Sequence, residues 1–164
     1  MGGETTQFSA YYAQYAPRVR RYLLALAGDA TLADDLTAET FARAWTAFDR
    51  IREPTMLAYL LAIARNLHRN SVARKRPLDQ LDERIPDPAS TPEERAEARS
   101  ELGAVLGAIR GLSEAERTPL LLRADHTSYE EIARVLGISV NAAKVRVHRA
   151  RVRLMKSTGR ESKD

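Results

Sequence analysis

The sequence predicts an all-α chain, two small helical domains joined by an extended acidic linker. Three observations point there. Ala, Leu, Arg and Glu dominate, with no sustained β-branched alternation. Pro77, Pro86, Pro88 and Pro92 cluster in one acidic stretch with almost no apolar content. Charge is also segregated: residues 1–76 carry a net +4, residues 77–101 a net −5 and residues 102–164 a net +5. Two basic blocks flanking an acidic strip suit two contacts with a polyanion and a linker that avoids it.

The elements follow in order. A first helix over about residues 5–27 ends at Gly28-Asp29. A second is expected near 31–48. Phe41 and Phe48 fall on or near its buried stripe with Leu36 and Ala44. Its other face carries Asp34, Asp35, Ala38, Glu39, Ala42 and Trp45. Acids flanking small residues and a Trp fit either a docking surface for a partner helix or a solvated face. Residues 49–54 read as a loop, because Pro54 disfavours helix just before it.

A third helix, from about 55 to 75, is expected to stop at Pro77. Leu57, Leu60, Leu61, Ala64 and Leu67 form its apolar face. Tyr59, Ala62, Arg65, Asn66, Arg69, Asn70, Ala73 and Arg76 form the other. A face of Tyr, Asn and Arg without an acid suits single-stranded nucleic acid: cations track phosphates, a ring supports a base and amides read an exposed base edge. An ordinary exposed helix fits this face equally well.

Past the linker, residues 77–97, a helix resumes near Thr91–Glu94 and carries Leu102, Val105, Leu106 and Ile109. Ser113-x-x-Glu116 and Ser128-x-x-Glu131 are capping boxes. Pro119 lies inside the helix that Ser113 opens and is expected to kink it or remove a backbone hydrogen bond. Residues 129–136 form a short helix, Gly137 a left-handed turn and Ser139 the cap of a last helix, a helix-turn-helix pattern. A plain helical corner is the alternative.

At about 100° per residue, Val140, Ala143, Val147, Ala150 and Leu154 line one side of that last helix. The opposite side presents Asn141, Ala142, Val145, His148 and Arg149. Lys144 and Arg151 flank it on one edge, Arg146 and Arg153 on the other. Small and amide side chains between two rows of cations are what a major-groove helix needs. No acid occurs between Ser139 and Arg160.

Several classes of function are set aside. Without cysteine there is no disulfide framework, Cys-bearing zinc site or thiol nucleophile. His68, His126 and His148 are isolated and lack metal-ligand spacing. No P-loop or GxSxG occurs, so no metal, cofactor or small-molecule substrate is expected and the chain is not expected to be an enzyme. No apolar run suits a bilayer span and the N-terminus is not a secretory signal. The expected location is cytoplasmic.

Taken together, the motifs resemble the extracytoplasmic-function (ECF) group of bacterial sigma factors. Asp35-Leu36-Thr37-Ala38-Glu39-Thr40-Phe41-Ala42-Arg43-Ala44-Trp45 is similar to the family's polymerase-binding helix. Tyr59-Leu60-Leu61-Ala62-Ile63-Ala64-Arg65-Asn66-Leu67 is similar to its promoter-melting segment. Leu112 through Arg153 resembles its C-terminal domain, most closely in Ser128-Tyr129-Glu130-Glu131-Ile132-Ala133 and in Lys144 through Arg151. The order and spacing of these motifs are more specific than any one of them.

The resemblance implies a sigma-2-like domain at 1–76, a linker at 77–97, a sigma-4-like domain at 98–158 and a flexible tail at 159–164. It implies core RNA polymerase as partner, through the β′ clamp coiled coil and the β flap, with promoter DNA and an anti-sigma factor as the others. Polymerase docking falls to Asp34, Asp35, Ala38, Glu39, Ala42 and Trp45. Capture of the minus-ten element falls to Arg50, Arg52, Tyr59, Arg65, Asn66, Arg69 and Asn70. Readout of the minus-thirty-five element falls to Ser139, Asn141, Ala142, Lys144, Val145, Arg146, His148 and Arg149. Some positions depart from the family pattern. Ala38 stands where Gln is usual, Tyr59 where Trp is common and Asn70 for a frequent Asp; Ala143 is smaller than usual. A conventional operator-binding regulator and a pure interaction module are the competing readings; neither explains two basic faces. With no long C-terminal extension, a fused regulatory domain is not expected.

Overall fold

A computed structural model describes residues 2–79, 92–93 and 101–159. Seven long helices are described: α1 Gly2–Ala27, α2 Ala30–Thr46, α3 Met56–Asp79, α4 Glu101–Gly111, α5 Glu114–Ala124, α6 Tyr129–Leu136 and α7 Val140–Ser157. Most of the expected linker lies outside the described residues.

The first three helices pack as a bundle. Gly28, at φ +69°, turns the chain out of α1, and the Asp29 carboxylate accepts the Leu32 N–H at 3.1 Å to cap α2. Leu23 of α1, Ala33, Leu36 and Phe41 of α2, and Leu57, Leu60, Leu61, Ala64 and Leu67 of α3 are buried together. The predicted apolar face of α3 is therefore the one that packs. Thr37 and Thr40 are buried in α2 and donate to the Ala33 and Leu36 carbonyls at 2.6 and 2.7 Å. These bonds satisfy hydroxyls that would otherwise be costly to bury.

Three boundaries differ from expectation. α2 stops at Thr46, and Phe48–Arg50 forms a tight 3-10 turn instead of a last helical turn. Glu53–Thr55 forms a second such turn within the expected loop. α3 runs past Pro77 to Asp79. The proline leaves one carbonyl, that of Ala73, without its helical donor. Ala73 is exposed, so water reaches it there. α5 likewise runs unbroken across Pro119, whose ring is buried.

The C-terminal helices form the second domain. Ser128 and Glu131 make the reciprocal box: the Glu131 N–H donates to the Ser128 Oγ at 3.1 Å and the Ser128 N–H to the Glu131 carboxylate at 3.4 Å. Gly137 sits at φ +66°, and the Ile138 N–H reaches the Ala133 carbonyl at 3.0 Å, closing α6. Ser139 caps α7 by accepting the Ala142 N–H at 3.1 Å.

The sequence predicts two small helical domains joined by a linker. In the structure the helices of the two pack on one another and share a core. α6 packs on α3 and α5 on α1. Leu122, Ile132, Ala133 and Val135 join the buried cluster of the first bundle.

Candidate nucleic-acid interface

α7 presents the expected layout. Ala143, Val147 and Ala150 are buried, and Val140 and Leu154 are half-buried. Ser139, Asn141, Lys144, Val145, His148 and Arg149 are exposed; Ala142 and Arg146 are half-buried. Lys144 Nζ lies 5.7 Å from the centre of the Tyr129 ring, and the Arg123 guanidinium lies 4.3 Å from it. The ring thus steadies cations beside the helix. Among the described residues, Lys144, Arg146 and Arg149 enter no ion pair. Their charge is available to phosphate, and the N-terminal amides of α7 add a positive helix end.

A second basic site is a cleft of about 630 Å³. Arg50, Arg52, Thr55, Tyr59, Ala62 and Arg134 are among its lining residues. Tyr59 is half-buried and Arg50 and Arg52 are exposed. Asn66, Arg69 and Asn70 continue along α3 and are also exposed. Arg65 is placed differently. Its side chain is 13% exposed and turns away from the cleft to Glu114 of α5, with Nε donating at 2.8 Å and Nη2 at 3.4 Å. The structure thus divides the predicted face. Arg50, Arg52 and Tyr59 converge, Asn66, Arg69 and Asn70 form an open stripe, and Arg65 joins the two domains.

A third face lies on α2, where Asp34, Asp35, Ala38, Glu39, Ala42 and Trp45 are all exposed. Asp34 accepts from Arg20 at 2.6 Å and Glu39 from Arg43 at 2.8 Å. Trp45, 45% exposed, is held edge-on by Phe8 at 4.7 Å and stacks on Phe48 at 6.2 Å. A large indole fixed in this way and open to solvent has the character of an interface anchor. Beside it, Tyr12, Pro17, Arg20, Asp34, Thr37 and Ala38 line a groove of about 560 Å³ between α1 and α2.

The residues that join the domains gave no signal in the sequence. Arg18 Nε donates to Asp125 Oδ2 at 3.0 Å and its Nη2 to Thr127 Oγ1 at 3.2 Å. Arg21 Nη2 donates to Asp125 Oδ1 at 3.0 Å. Tyr22 and Thr118 hydroxyls meet at 3.0 Å, and Thr118 donates to Glu114 Oε1 at 2.9 Å. With the Thr118 proton so committed, Tyr22 is the donor. Burial pushes the Tyr22 phenol far above its ordinary range, which keeps it protonated in that role. Burial also opposes the charge on Glu114, but the bonds from Arg65 and Thr118 outweigh it and hold the carboxyl below its ordinary value.

Among the described residues no group of His, Cys, Asp and Glu is arranged to hold a metal, and no helix is long and apolar enough to cross a membrane.

Comparison with known proteins gives the chain a family. The family profile for Sigma-70 region 2 matches residues 11–77, and that for Sigma-70, region 4 matches residues 102–154. The ECF RNA polymerase sigma factor EcfG of Rhodopseudomonas palustris is 33% identical over 84% of this chain and 77% of its own length. The ECF RNA polymerase sigma factor SigL of Mycobacterium tuberculosis is 32% identical over 96% of this chain and 92% of its own. Among solved structures, the sigma factor RpoE of Bartonella quintana, in complex with the anti-sigma factor NepR, shares the fold at TM-score 0.72 with 23% identity, over 93% of this chain and 97% of that one. CnrH, in complex with the cytosolic domain of CnrY, matches at TM-score 0.66 with 25% identity, over 96% of this chain and 91% of that one. The chain therefore belongs to the ECF group of the sigma-70 family and is an alternative sigma factor for promoter recognition and transcription initiation.

Proposed function

We propose that the three faces divide the work of initiation. The α2 face of Asp34, Asp35, Ala38, Glu39, Ala42 and Trp45 docks on the β′ clamp coiled coil of core polymerase. The cleft of Arg50, Arg52 and Tyr59, continued by Asn66, Arg69 and Asn70, captures an unstacked base of the minus-ten element. Arg65 joins that face once it is free of Glu114. The exposed side of α7, from Ser139 to Arg149, reads the minus-thirty-five element as duplex. In this reading residues 1–76 and 98–158 are the two working domains and residues 77–97 the connection between them. The chain is a non-catalytic specificity subunit acting in the cytoplasm.

The observation that carries this reading is the pairing of two basic, acid-poor faces of different character on one chain. One is a convex helix sized for a groove. The other is a cleft with an aromatic wall, suited to a single base. A regulator that binds duplex alone has no use for the second. Opening five stacked steps costs about 7 kcal/mol at roughly 1.4 per step. Capturing one or two bases returns about 1–3 kcal/mol each. The chain alone cannot hold DNA open, so melting belongs to the complex with polymerase. The solved structures of similar fold, RpoE with the anti-sigma factor NepR and CnrH with the cytosolic domain of CnrY, support an anti-sigma partner here as well.

Run-off transcription with purified core polymerase and this chain as the added factor tests the proposal. Specific transcripts are expected, with no strand opening by the free chain. Opening of promoter DNA by the free chain, or no transcript with core, refutes it.

A further inference from the structure

The exposed side of α7 has an apolar centre. Val145 is 44% exposed, and its neighbours on the helix surface, three and four residues away, are Asn141, Ala142, His148 and Arg149. Lys144 and Arg146 stand about 100° to either side of it. The valine therefore lies midway between the two rows of cations. Nothing in the fold calls for it. Among the described residues it belongs to neither buried cluster, nor to the half-buried side chains packed on them. A β-branched side chain is also a poor choice for an open helix position. A protein-binding patch would set apolar residues side by side. The next exposed apolar residue along this line, Val152, is two turns away, with His148 and Arg149 between.

An isopropyl group has nothing to give a hydrogen-bonding base edge. Pressed against the polar edge of adenine, guanine or cytosine in a major groove, it strips water and returns no partner. One group in that groove is apolar, the C5-methyl of thymine. We propose that Val145 packs on the C5-methyl group of a thymine in the minus-thirty-five duplex and so sets the base preferred at that step. The proposal rests on the duplex reading of α7 given above and adds the chemical group that its centre recognises. Val145 sits in the second turn of α7, within the N-terminal part of a recognition helix that reaches base edges. Asn141 lies one turn before it and Arg149 one turn after, an amide suited to adenine and a guanidinium suited to guanine. The methyl contact is thus bracketed by polar readers of neighbouring pairs. Because the contact is to the methyl alone, 5-methylcytosine offers the same group at the same place. Cytosine methylation at that step strengthens binding where it would obstruct a polar reader.

Uracil tests this directly, since it pairs as thymine does and lacks only the methyl group. Holoenzyme assembled from core polymerase and this chain selects its preferred duplex from a pool randomised over the minus-thirty-five region. Each thymine of that duplex, on either strand, is then replaced singly by uracil. One position is expected to lose about threefold to fivefold in affinity, as the loss of one buried methyl group does. At that position 5-methylcytosine should bind about as much better than cytosine. Val145→Ser should bind the thymine and uracil forms equally, with the salt slope unchanged. Uracil forms that all bind like the parent duplex overturn the methyl contact and leave the duplex reading of α7 standing. A uracil effect that persists in Val145→Ser overturns the role of Val145. If Val145→Ser instead weakens binding to core polymerase before DNA is added, the valine serves a protein contact and the proposal fails. A selection that returns no preferred duplex overturns the reading of α7 itself, and the methyl contact with it.

Discussion

Arg65 and Glu114 form a two-point ion pair between helices of different domains, Nε to Oε1 at 2.8 Å and Nη2 to Oε2 at 3.4 Å, with side chains 13% and 22% exposed. Thr118 donates to the same Oε1 and receives the Tyr22 hydroxyl, so four side chains from α1, α3 and α5 share one network. Breaking such a network on one side leaves its other members poorly solvated.

The first prediction follows from that asymmetry. Glu114→Ala strands the Arg65 cation and removes the acceptor of Thr118. Stability should fall by about 1–3 kcal/mol, the cost of leaving such groups without partners. Replacing both charges by Arg65→Met with Glu114→Leu should recover most of the loss, because no charge is then stranded. Urea unfolding of the single and double variants, compared at equal m-value, decides. A double variant as unstable as the single one would contradict the account.

A second prediction concerns acid. His68 is 3% exposed and its Nδ1 has no hydrogen-bond partner among the described residues. Burial pulls its pKa below the ordinary 6.5, Arg117 and Lys75 add to the shift and Glu114 opposes it. The unfolded chain therefore takes up a proton near pH 6.5 that the folded chain resists. Stability should be full above that pH and fall as the pH drops below it. Glu114 is held below its ordinary 4.5, so a further loss begins as the pH falls below that value. His68→Gln should flatten the first decline and spare the second. Unfolding free energies from pH 8 to pH 4 check this, and parallel curves for both proteins between pH 6.5 and 5 would refute it.

The sequence revealed most of what depends on local spacing. The apolar stripes of α3 and α7, the boxes at Ser128 and Ser113 and the turn at Gly137 follow from helical period and cap chemistry, which neighbouring residues decide. The meeting of Arg18 and Arg21 with Asp125 was not legible, because charged residues about a hundred positions apart carry no mark of pairing. For the same reason the tie between Arg65 and Glu114 was not legible. The helix across Pro77 was missed because a proline rule based on a lost hydrogen bond weighs little where water reaches the freed carbonyl.

A third prediction separates docking from DNA contact. Trp45 is steadied by Phe8 and Phe48 yet half open to solvent. Trp45→Ala should weaken core polymerase binding by at least about tenfold, as loss of an aromatic anchor worth roughly 2 kcal/mol does. Asp35→Arg should act in the same direction through charge. Neither should alter binding of duplex promoter DNA by the free chain. Equal losses in both assays, together with a lowered melting temperature, would mean that the variants merely unfold the bundle.

The last prediction concerns the two DNA faces. Lys144 and Arg149 are exposed on α7 and, among the described residues, enter no ion pair. If each neutralises one phosphate, Lys144→Ala or Arg149→Ala should lower the log–log salt slope of holoenzyme binding to promoter duplex by about 0.9 per residue. Asn141 is exposed in the first turn of α7, where a side chain reaches base edges, so Asn141→Ala should instead relax sequence preference at one position by about 1–3 kcal/mol with the slope unchanged. Asn66→Ala, on the single-strand face, should leave the closed complex nearly intact and slow its opening. Filter binding across a salt series and a permanganate footprint of strand opening measure these effects separately. If Asn66→Ala lowers duplex affinity, or Lys144→Ala slows opening without weakening the closed complex, the assignment of duplex readout to α7 and base capture to α3 is wrong.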